Sequence, residues 1–140
     1  MTTLYSLLLG RCSLSLAEAA ALHDVRPDTA KSWFYGRRQP PPGAVDQLVE
    51  LYRRIDNAAA ELLAEIERQT ALKGSAPAAI ELGYAADDHE ARSLGWPCVG
   101  AHLAALGLVV ARGLDQGYRF RVVARGSTPA TAAAIEAHQP

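Results

Sequence analysis

The stretch LSLAEAAALHDVRPDTAKSWFYGRRQP, residues 14–40, decides how the first part of this chain folds. A short apolar helix pattern ends at His23, and a helix pattern with a polar face begins soon after it. Ser15 and Glu18 form a capping-box pattern, in which the serine hydroxyl accepts a backbone N–H and the glutamate reaches back. Asp24 suits a sharp turn, because aspartate tolerates the left-handed conformation better than most residues. The stretch therefore predicts two short helices joined by a tight turn.

Three residues predict the bounds of the second helix, which we place at residues 26–36. The residue before a proline is pushed out of the helical region, which makes Arg26 a cap, and Pro27 suits the first turn. Gly36 is a typical C-terminal stop. One side of this helix is apolar and carries Ala30, Trp33 and Phe34; together with Val25, these residues would close a three-helix core. Another side is polar at helical spacing; its residues are Asp28, Lys31, Ser32 and Tyr35.

The polar side indicates a surface that reads DNA. A helix held firmly from behind, with hydrogen-bonding groups facing out, suits the base edges of a major groove, and side chains near its N-terminus reach deepest. The expected base-reading residues are Asp28, Lys31, Ser32 and Tyr35. Flanking residues would contact phosphates and supply non-specific affinity; they are Arg11, Arg26, Thr29, Arg37 and Arg38. The alternative is a three-helix bundle whose polar stripe is only solvated surface.

Several spacings in this stretch also match a known family; the matching residues are Leu14, Ser15, Ala20, Val25, Trp33, Gly36 and Pro40. The stretch resembles the helix-turn-helix of Cro/Xre-type repressors, whose pattern is an LSxxELA-like second helix, a turn and a recognition helix ending in W-x-x-G. The resemblance covers about residues 4–55. Two positions depart from the pattern. Asp24 replaces the turn glycine, and Phe34 replaces the glutamate usual after the tryptophan.

The resemblance implies a sequence-specific regulator of transcription that binds double-stranded DNA, as a dimeric repressor on an inverted repeat near its own operon. It places Arg26 and Pro27, with the four polar residues above, at base-facing or backbone-facing positions. Lys31 is then the expected contact to guanine. A weaker likeness, carried by Trp96 before an alanine-rich helix, is to anti-CRISPR-associated autorepressors, in which the tail makes a dimer.

Composition limits the classes of protein that fit. The chain has 140 residues, enough for one ordinary domain or two very small ones, and 49% of them are hydrophobic, so a packed core is available. The formal net charge of −1 gives no overall attraction to nucleic acid or membrane. Residues 1–43, however, carry five Lys or Arg against three Asp or Glu, a net charge of +2, whereas residues 44–73 carry −2. The positive charge therefore lies with the two short helices.

The sequence gives only weak signals for disulfides, for a metal site and for catalysis. Two cysteines do not make a disulfide framework, and neither a secretory signal nor a membrane span is visible, so we expect a cytoplasmic protein. A metal site at His89, Cys98 and His102 lacks a fourth ligand. No nucleophile–base grouping, phosphate loop or paired carboxylates stand out. We therefore expect a binding protein, not an enzyme, with no metal and no cofactor.

The rest of the chain predicts an α+β fold, with an N-terminal helix-turn-helix core at residues 1–43 and a long connecting helix at residues 44–72. After the KGSAP linker, residues 78–140 would form a small α/β dimerisation domain. Its expected elements are a strand at 78–84, a helix at 97–106, a strand at 118–123 and an alanine-rich helix from Thr128. Leu108–Arg112 is ambiguous: it could continue the helix, or be a strand, which its valines weakly favour.

The long helix carries an apolar a/d seam with 3, 4 spacing. The part of the seam beyond the bundle comprises Tyr52, Ile55, Ala59, Leu62 and Ile66. Two interpretations fit it equally well, a two-stranded coil between copies or burial against the tail. We expect a homodimer by one route or the other, because a half-site reader usually needs a twin. Two other functions remain open: an antitoxin whose tail neutralises a toxin, and an interaction or ligand-sensing adaptor that no longer binds DNA.

Overall fold

The structure, a computed structural model, describes residues 2–125. Its elements, in chain order, are α1 (Leu4–Cys12), α2 (Leu16–His23), α3 (Pro27–Phe34), α4 (Pro42–Lys73), β1 (Ile80–Tyr84), α5 (Asp88–Ser93), α6 (Val99–Asp115) and β2 (Phe120–Ala124). The described chain is mostly helical with one small two-stranded sheet, so the expected α+β class is confirmed. The helix expected from Thr128 lies outside the described residues.

The N-terminal helices begin and end as their sequence predicts. Ser15 caps α2, since its hydroxyl accepts the Glu18 N–H and the Glu18 carboxylate accepts the Ser15 N–H. Asp24 turns the chain in the left-handed region, with φ of 55°. Arg26 is the N-cap of α3 and Pro27 its first residue, while Gly36 follows with φ of 78°. The structure makes this helix slightly shorter than the expected 26–36.

The long helix α4 has 32 residues and packs within its own chain. The seam residues Ile55, Ala59 and Ile66 are buried, and Tyr52 and Leu62 are half-buried. Ile55 belongs to a core cluster with α1, whereas Ala59 and Ile66 belong to a second cluster with the sheet and α6. Of the two interpretations of the seam, the structure shows burial against the tail. Because these three side chains are buried within their own chain, they are not available for a coiled coil between two copies.

Helix α6 corrects the weak preference for a strand at Leu108–Arg112. The helix continues through this segment to Asp115, and Val109 is buried against Ala59, Leu63 and Ile66. Packing against α4 therefore outweighs the strand preference of the two valines. Strand β2 pairs instead with β1, in parallel from Ile80↔Phe120 to Tyr84↔Ala124. Parallel neighbours need a crossover connection, which α5 and α6 supply.

The tail contributes directly to the N-terminal core. Cys98, Ala101 and Ala105 of α6 lie in the same buried cluster as Trp33 and Ile55. Two of these three residues are alanines, and small side chains allow the α6 backbone to approach α1 and α4 closely. The N-terminal bundle is therefore completed by a helix from the far side of the linker.

Helix α5 was not expected from the sequence, although its start has a recognisable pattern. The Asp87 side chain caps it by accepting the Glu90 N–H at 2.8 Å. The next residue, Asp88, accepts the Val99 N–H at 2.9 Å and so orients the start of α6. None of the helices within residues 2–125 combines the length and apolarity that crossing a membrane would demand.

Candidate nucleic-acid interface

Helix α3 is held from behind by aromatic rings from α1 and α2, which pack against its own Trp33. Trp33 is only 6% exposed, and its ring meets Tyr5 of α1 at 5.6 Å and His23 of α2 at 5.7 Å between centroids. Both contacts are edge-to-face, an arrangement that adds stability beyond the area buried. Ala30, one turn earlier, is fully buried. The inner face of α3 is thus anchored at two successive turns.

The C-terminal end of α3 is tied to α1 by Thr3. The Thr3 hydroxyl oxygen accepts the Ser6 N–H at 3.0 Å, which caps α1, and its O–H donates to the Phe34 carbonyl oxygen at 2.9 Å. One hydroxyl therefore begins one helix and orients the last turn of another. The C-terminal end of α2 is tied to α4 by Gln47. The Gln47 side-chain N–H donates to the Leu22 carbonyl oxygen at 3.3 Å, and the Gln47 side-chain oxygen lies 2.7 Å from His23 Nδ1.

The outer face of α3 presents most of the residues expected to read bases. Asp28 and Lys31 are exposed, and Tyr35 is 45% exposed. Ser32 differs from the expectation, because it is half-buried and its hydroxyl donates to the Thr29 carbonyl oxygen at 2.6 Å. Only the acceptor lone pairs of that hydroxyl remain for an outside partner. Thr29 is half-buried beside it.

Four cations surround the exposed face of α3 without a carboxylate partner among residues 2–125; they are Arg26, Lys31, Arg37 and Arg38. The Arg37 guanidinium lies 5.7 Å from the centroid of the Tyr35 ring, a cation–π distance. The backbone N–H groups of Arg37 and Arg38 both donate to the Ser32 carbonyl oxygen, at 2.9 and 3.3 Å. The last turn of α3 therefore positions two arginines at one end, while Arg26 stands at the other.

Arg11 lies elsewhere. Its guanidinium pairs with Asp56 in the middle of α4 and lies 5.3 Å from the centroid of the Tyr52 ring. Its charge is thus already balanced by a carboxylate, unlike the four cations around α3. The structure gives Arg11 a packing role on α4, which differs from the expected phosphate contact.

The buried titratable groups of the core stay neutral. Burial raises the pKa of Tyr5 to about 12, and burial is also the main cause that raises the pKa values of Cys12 and Cys98 to about 11. Both thiols are therefore protonated near neutral pH and behave as small apolar side chains. Within the described part of the chain, no three His, Cys, Asp or Glu side chains are grouped so as to hold a metal ion.

Glu18 connects α2 to the start of α6. Its carboxylate accepts the Ser15 N–H at 2.9 Å and the Gly100 N–H at 3.2 Å. Burial raises the pKa of Glu18, but the hydrogen bonds from Ser15, Gly100 and the Cys98 thiol more than offset it, so the net pKa is lowered. The same carboxylate completes a capping box and anchors the tail to the bundle that carries α3.

Glu18→Gln should lower the free energy of unfolding at neutral pH and make that free energy less dependent on pH. A folded-state pKa below the ordinary 4.5 means that the unfolded chain takes up the proton first. The contribution of Glu18 is therefore complete above about pH 4.5 and disappears as pH falls through the lower folded-state value. Urea unfolding of the unmodified protein and of the Glu18→Gln variant, from pH 7 to pH 3, measures the difference in their free energies of unfolding. The difference between them should shrink below pH 4.5, and a constant difference would contradict the role of the charge.

Sequence reasoning missed Thr3, Gln47 and the second role of Glu18. Thr3 stands directly before the first apolar helix, a typical N-cap position, so its capping role was visible in the pattern. Its bond to Phe34 was not, because the two residues are 31 positions apart. The bond of Glu18 to Gly100 spans 82 positions and likewise depends on tertiary packing.

Comparison with known proteins adds no relative to this picture. No protein-family model matches the chain, and none of the curated proteins matches it. The geometry of α3 and its surroundings therefore carries the functional argument.

Proposed function

We propose that this chain is a sequence-specific double-stranded-DNA-binding regulator of transcription, working in the cytoplasm as a dimeric repressor on an inverted repeat. The single observation that carries the proposal is the two-sided character of α3. Its inner face is held by buried Trp33, while Asp28 and Lys31 project from its outer face. A rigid helix with free hydrogen-bonding groups matches what direct readout of bases requires.

The dimensions of α3 fit a major groove. An α-helix with its side chains is about 10–12 Å across, and the groove is about 12 Å wide. Lys31 can donate to the O6 and N7 acceptors of guanine. Asp28 can accept from the N4 amino group of cytosine, and it also complements the positive end of the helix. Tyr35, in the last turn, is better placed for a phosphate.

The charges around α3 fit a DNA backbone. Arg26 stands at its N-terminal end, and Arg37 and Arg38 stand beyond its C-terminal end, so phosphates on both sides of the groove have a cation to meet. Lysine and arginine that neutralise phosphates release counterions, which makes the affinity fall steeply with salt. A dimer would carry two copies of this surface to half-sites about 34–36 Å apart or a multiple of it. Occupying such a site is enough to block a polymerase.

Lys31→Ala and Arg38→Ala should separate base reading from backbone contact. After an operator has been selected from random duplexes, we expect Lys31→Ala to cost about 1–3 kcal/mol on that operator and little on random DNA. Arg38→Ala should weaken binding to all sequences alike and lower the slope of log affinity against log salt by about 1. Fluorescence anisotropy of labelled duplexes at several salt concentrations measures both effects.

Lys73→Ala is the matched control, because Lys73 is an exposed lysine at the far end of α4 and should leave both quantities unchanged. Equal losses for Lys31→Ala on operator and random duplex would make Lys31 a phosphate contact. If the unmodified protein selects no sequence and binds no duplex at low salt, the proposal fails. An interaction or ligand-sensing adaptor would then be the better explanation.

A further inference from the structure

Helix α6 has an apolar surface on both of its sides. From Val99 to Ala111 it contains no Asp, Glu, Lys or Arg. One side is buried in the two core clusters through Ala101, Ala105 and Val109. On the opposite side, Leu103 is 43% exposed and Leu114 is 45% exposed. A surface helix ordinarily shows water a polar face, so an apolar outer face indicates an interface.

The centre of this outer face is open. Gly107 is exposed, and a Cβ added there would meet nothing within 4 Å. The glycine therefore leaves a shallow hollow between larger side chains, one turn after Leu103 and one turn before Val110 and Ala111. Leu106 and Val110 border the hollow and are half-buried.

The outer face is complementary to itself in an antiparallel arrangement. If two copies of α6 cross with Leu103 opposite Leu114, then Gly107 lies opposite Val110. The two Leu106 side chains then lie on one flank of the interface, and the two Ala111 side chains lie on the other. The Gly107–Val110 pair brings a larger side chain against the hollow left by a glycine, as knobs into holes require. The same pairs occur twice, related by a two-fold axis midway along the face, as an isologous interface demands.

We propose that a second copy of this chain docks on α6, antiparallel, through the face formed by Leu103, Leu106, Gly107, Val110, Ala111 and Leu114. A face without charges offers nothing for an acidic or basic partner to complement. Because Glu18 of α2 accepts the Gly100 N–H at the start of α6, a two-fold axis on α6 also holds the two copies of α3 in one relative orientation. The inference deepens the proposed function, which gives the dimer its use, but its test needs no DNA and can fail separately.

Sedimentation equilibrium on the full chain tests the pairing. We expect a dimer for the unmodified protein and a dissociation constant raised about ten-fold or more by Leu103→Lys or by Leu114→Glu alone, since each substitution buries an unpaired charge in both copies. In the double variant Leu103→Lys/Leu114→Glu, the introduced charges meet across an antiparallel pair, and the dimer should recover most of the lost affinity. Within one chain they lie about 16 Å apart along the helix and cannot pair.

Leu72→Glu is the matched control, because Leu72 is 75% exposed on α4 and should leave the dissociation constant unchanged. Leu7→Glu examines the exposed apolar side of α1, where Leu7 is 62% exposed, and should likewise have no effect. A monomeric unmodified chain, a double variant weaker than either single variant, or a dimer broken by Leu7→Glu would each overturn the proposal.

Gly107→Ala gives a second readout that does not depend on introduced charge. The methyl group has open space in the monomer and a helix favours alanine over glycine, so the unfolding midpoint of the monomer should rise. In the dimer the same methyl group occupies the hollow that receives Val110 of the second copy, so the dissociation constant should rise as well. A variant that is more stable and dimerises unchanged would overturn the pairing at Gly107.

Discussion

Trp33→Ala should lower the free energy of unfolding by about 3–5 kcal/mol, the range found when a large buried aromatic is truncated to alanine. Trp33 is 6% exposed and contacts Tyr5 and His23 at ring distances below 6 Å, so its loss leaves a cavity where α1, α2 and α3 meet. A domain of this size has about 5–15 kcal/mol in all, so the substitution should remove a substantial fraction of its stability. Urea denaturation followed by far-ultraviolet circular dichroism measures the change.

Tyr35→Ala is the matched control, because it removes an aromatic ring of similar size two residues later. Tyr35 is 45% exposed and stands at the last turn of the same helix, so its truncation should change stability by about 0.5 kcal/mol or less. Binding to DNA should nevertheless weaken, because Tyr35 faces the proposed backbone. A loss below about 1 kcal/mol for Trp33→Ala would mean that the ring does not anchor α3, and the rigid presentation of Lys31 would lose its basis.

The local structure of the N-terminal half could be predicted because it depends on neighbouring residues. Capping by Ser15, the left-handed turn at Asp24 and the proline start of α3 each involve side chains within four positions of the backbone they satisfy. The outer face of α3 follows from the same periodicity. Asp28 and Lys31 are exposed because Ala30 and Trp33 define the opposite, buried side.

The fold beyond α4 could be predicted only in part, because spacing does not identify the surface that covers an apolar seam. Ile55, Ala59 and Ile66 have the pattern of a coiled coil, but the same pattern serves burial against α6. Val109 and Val110 favoured a strand by their side chains, yet the packing of Val109 on α4 stabilises a helix. In both cases the deciding contact lies about 40 positions or more away in the sequence.

The candidate site shows the same limit at the level of single atoms. Its exposed residues could be predicted, whereas the partners of Arg11 and Ser32 could not. Arg11 pairs with Asp56, 45 positions later, and the Ser32 hydroxyl donates to the Thr29 carbonyl oxygen of its own helix. The groups that already engage such a side chain decide how much of it remains for DNA, and identifying them requires the folded chain.

Gly100→Ala should lower the free energy of unfolding by about 1–3 kcal/mol, a typical cost of inserting a methyl group into a packed contact. A Cβ at this position would overlap the Ser13 carbonyl oxygen and approach Glu18 Oε1 to 2.9 Å. The first of these atoms belongs to the backbone between α1 and α2, so relief requires α6 to move away from the bundle. That movement also breaks the bond from the Gly100 N–H to the Glu18 carboxylate. Urea denaturation of the full chain measures the loss.

Gly10→Ala is the control for the chemical change, since Gly10 lies within α1 and a Cβ there meets nothing within 4 Å. Helix propensity alone should make this variant more stable, by at most about 1 kcal/mol. Opposite signs for the two substitutions would therefore assign the loss at Gly100 to the contact with Ser13, not to the alanine itself. If both variants gain stability, α6 does not approach the turn after α1 closely, and the tail is not held against the bundle at that point. Any coupling between the dimer face on α6 and the DNA-facing side of α3 would then have to pass through α4.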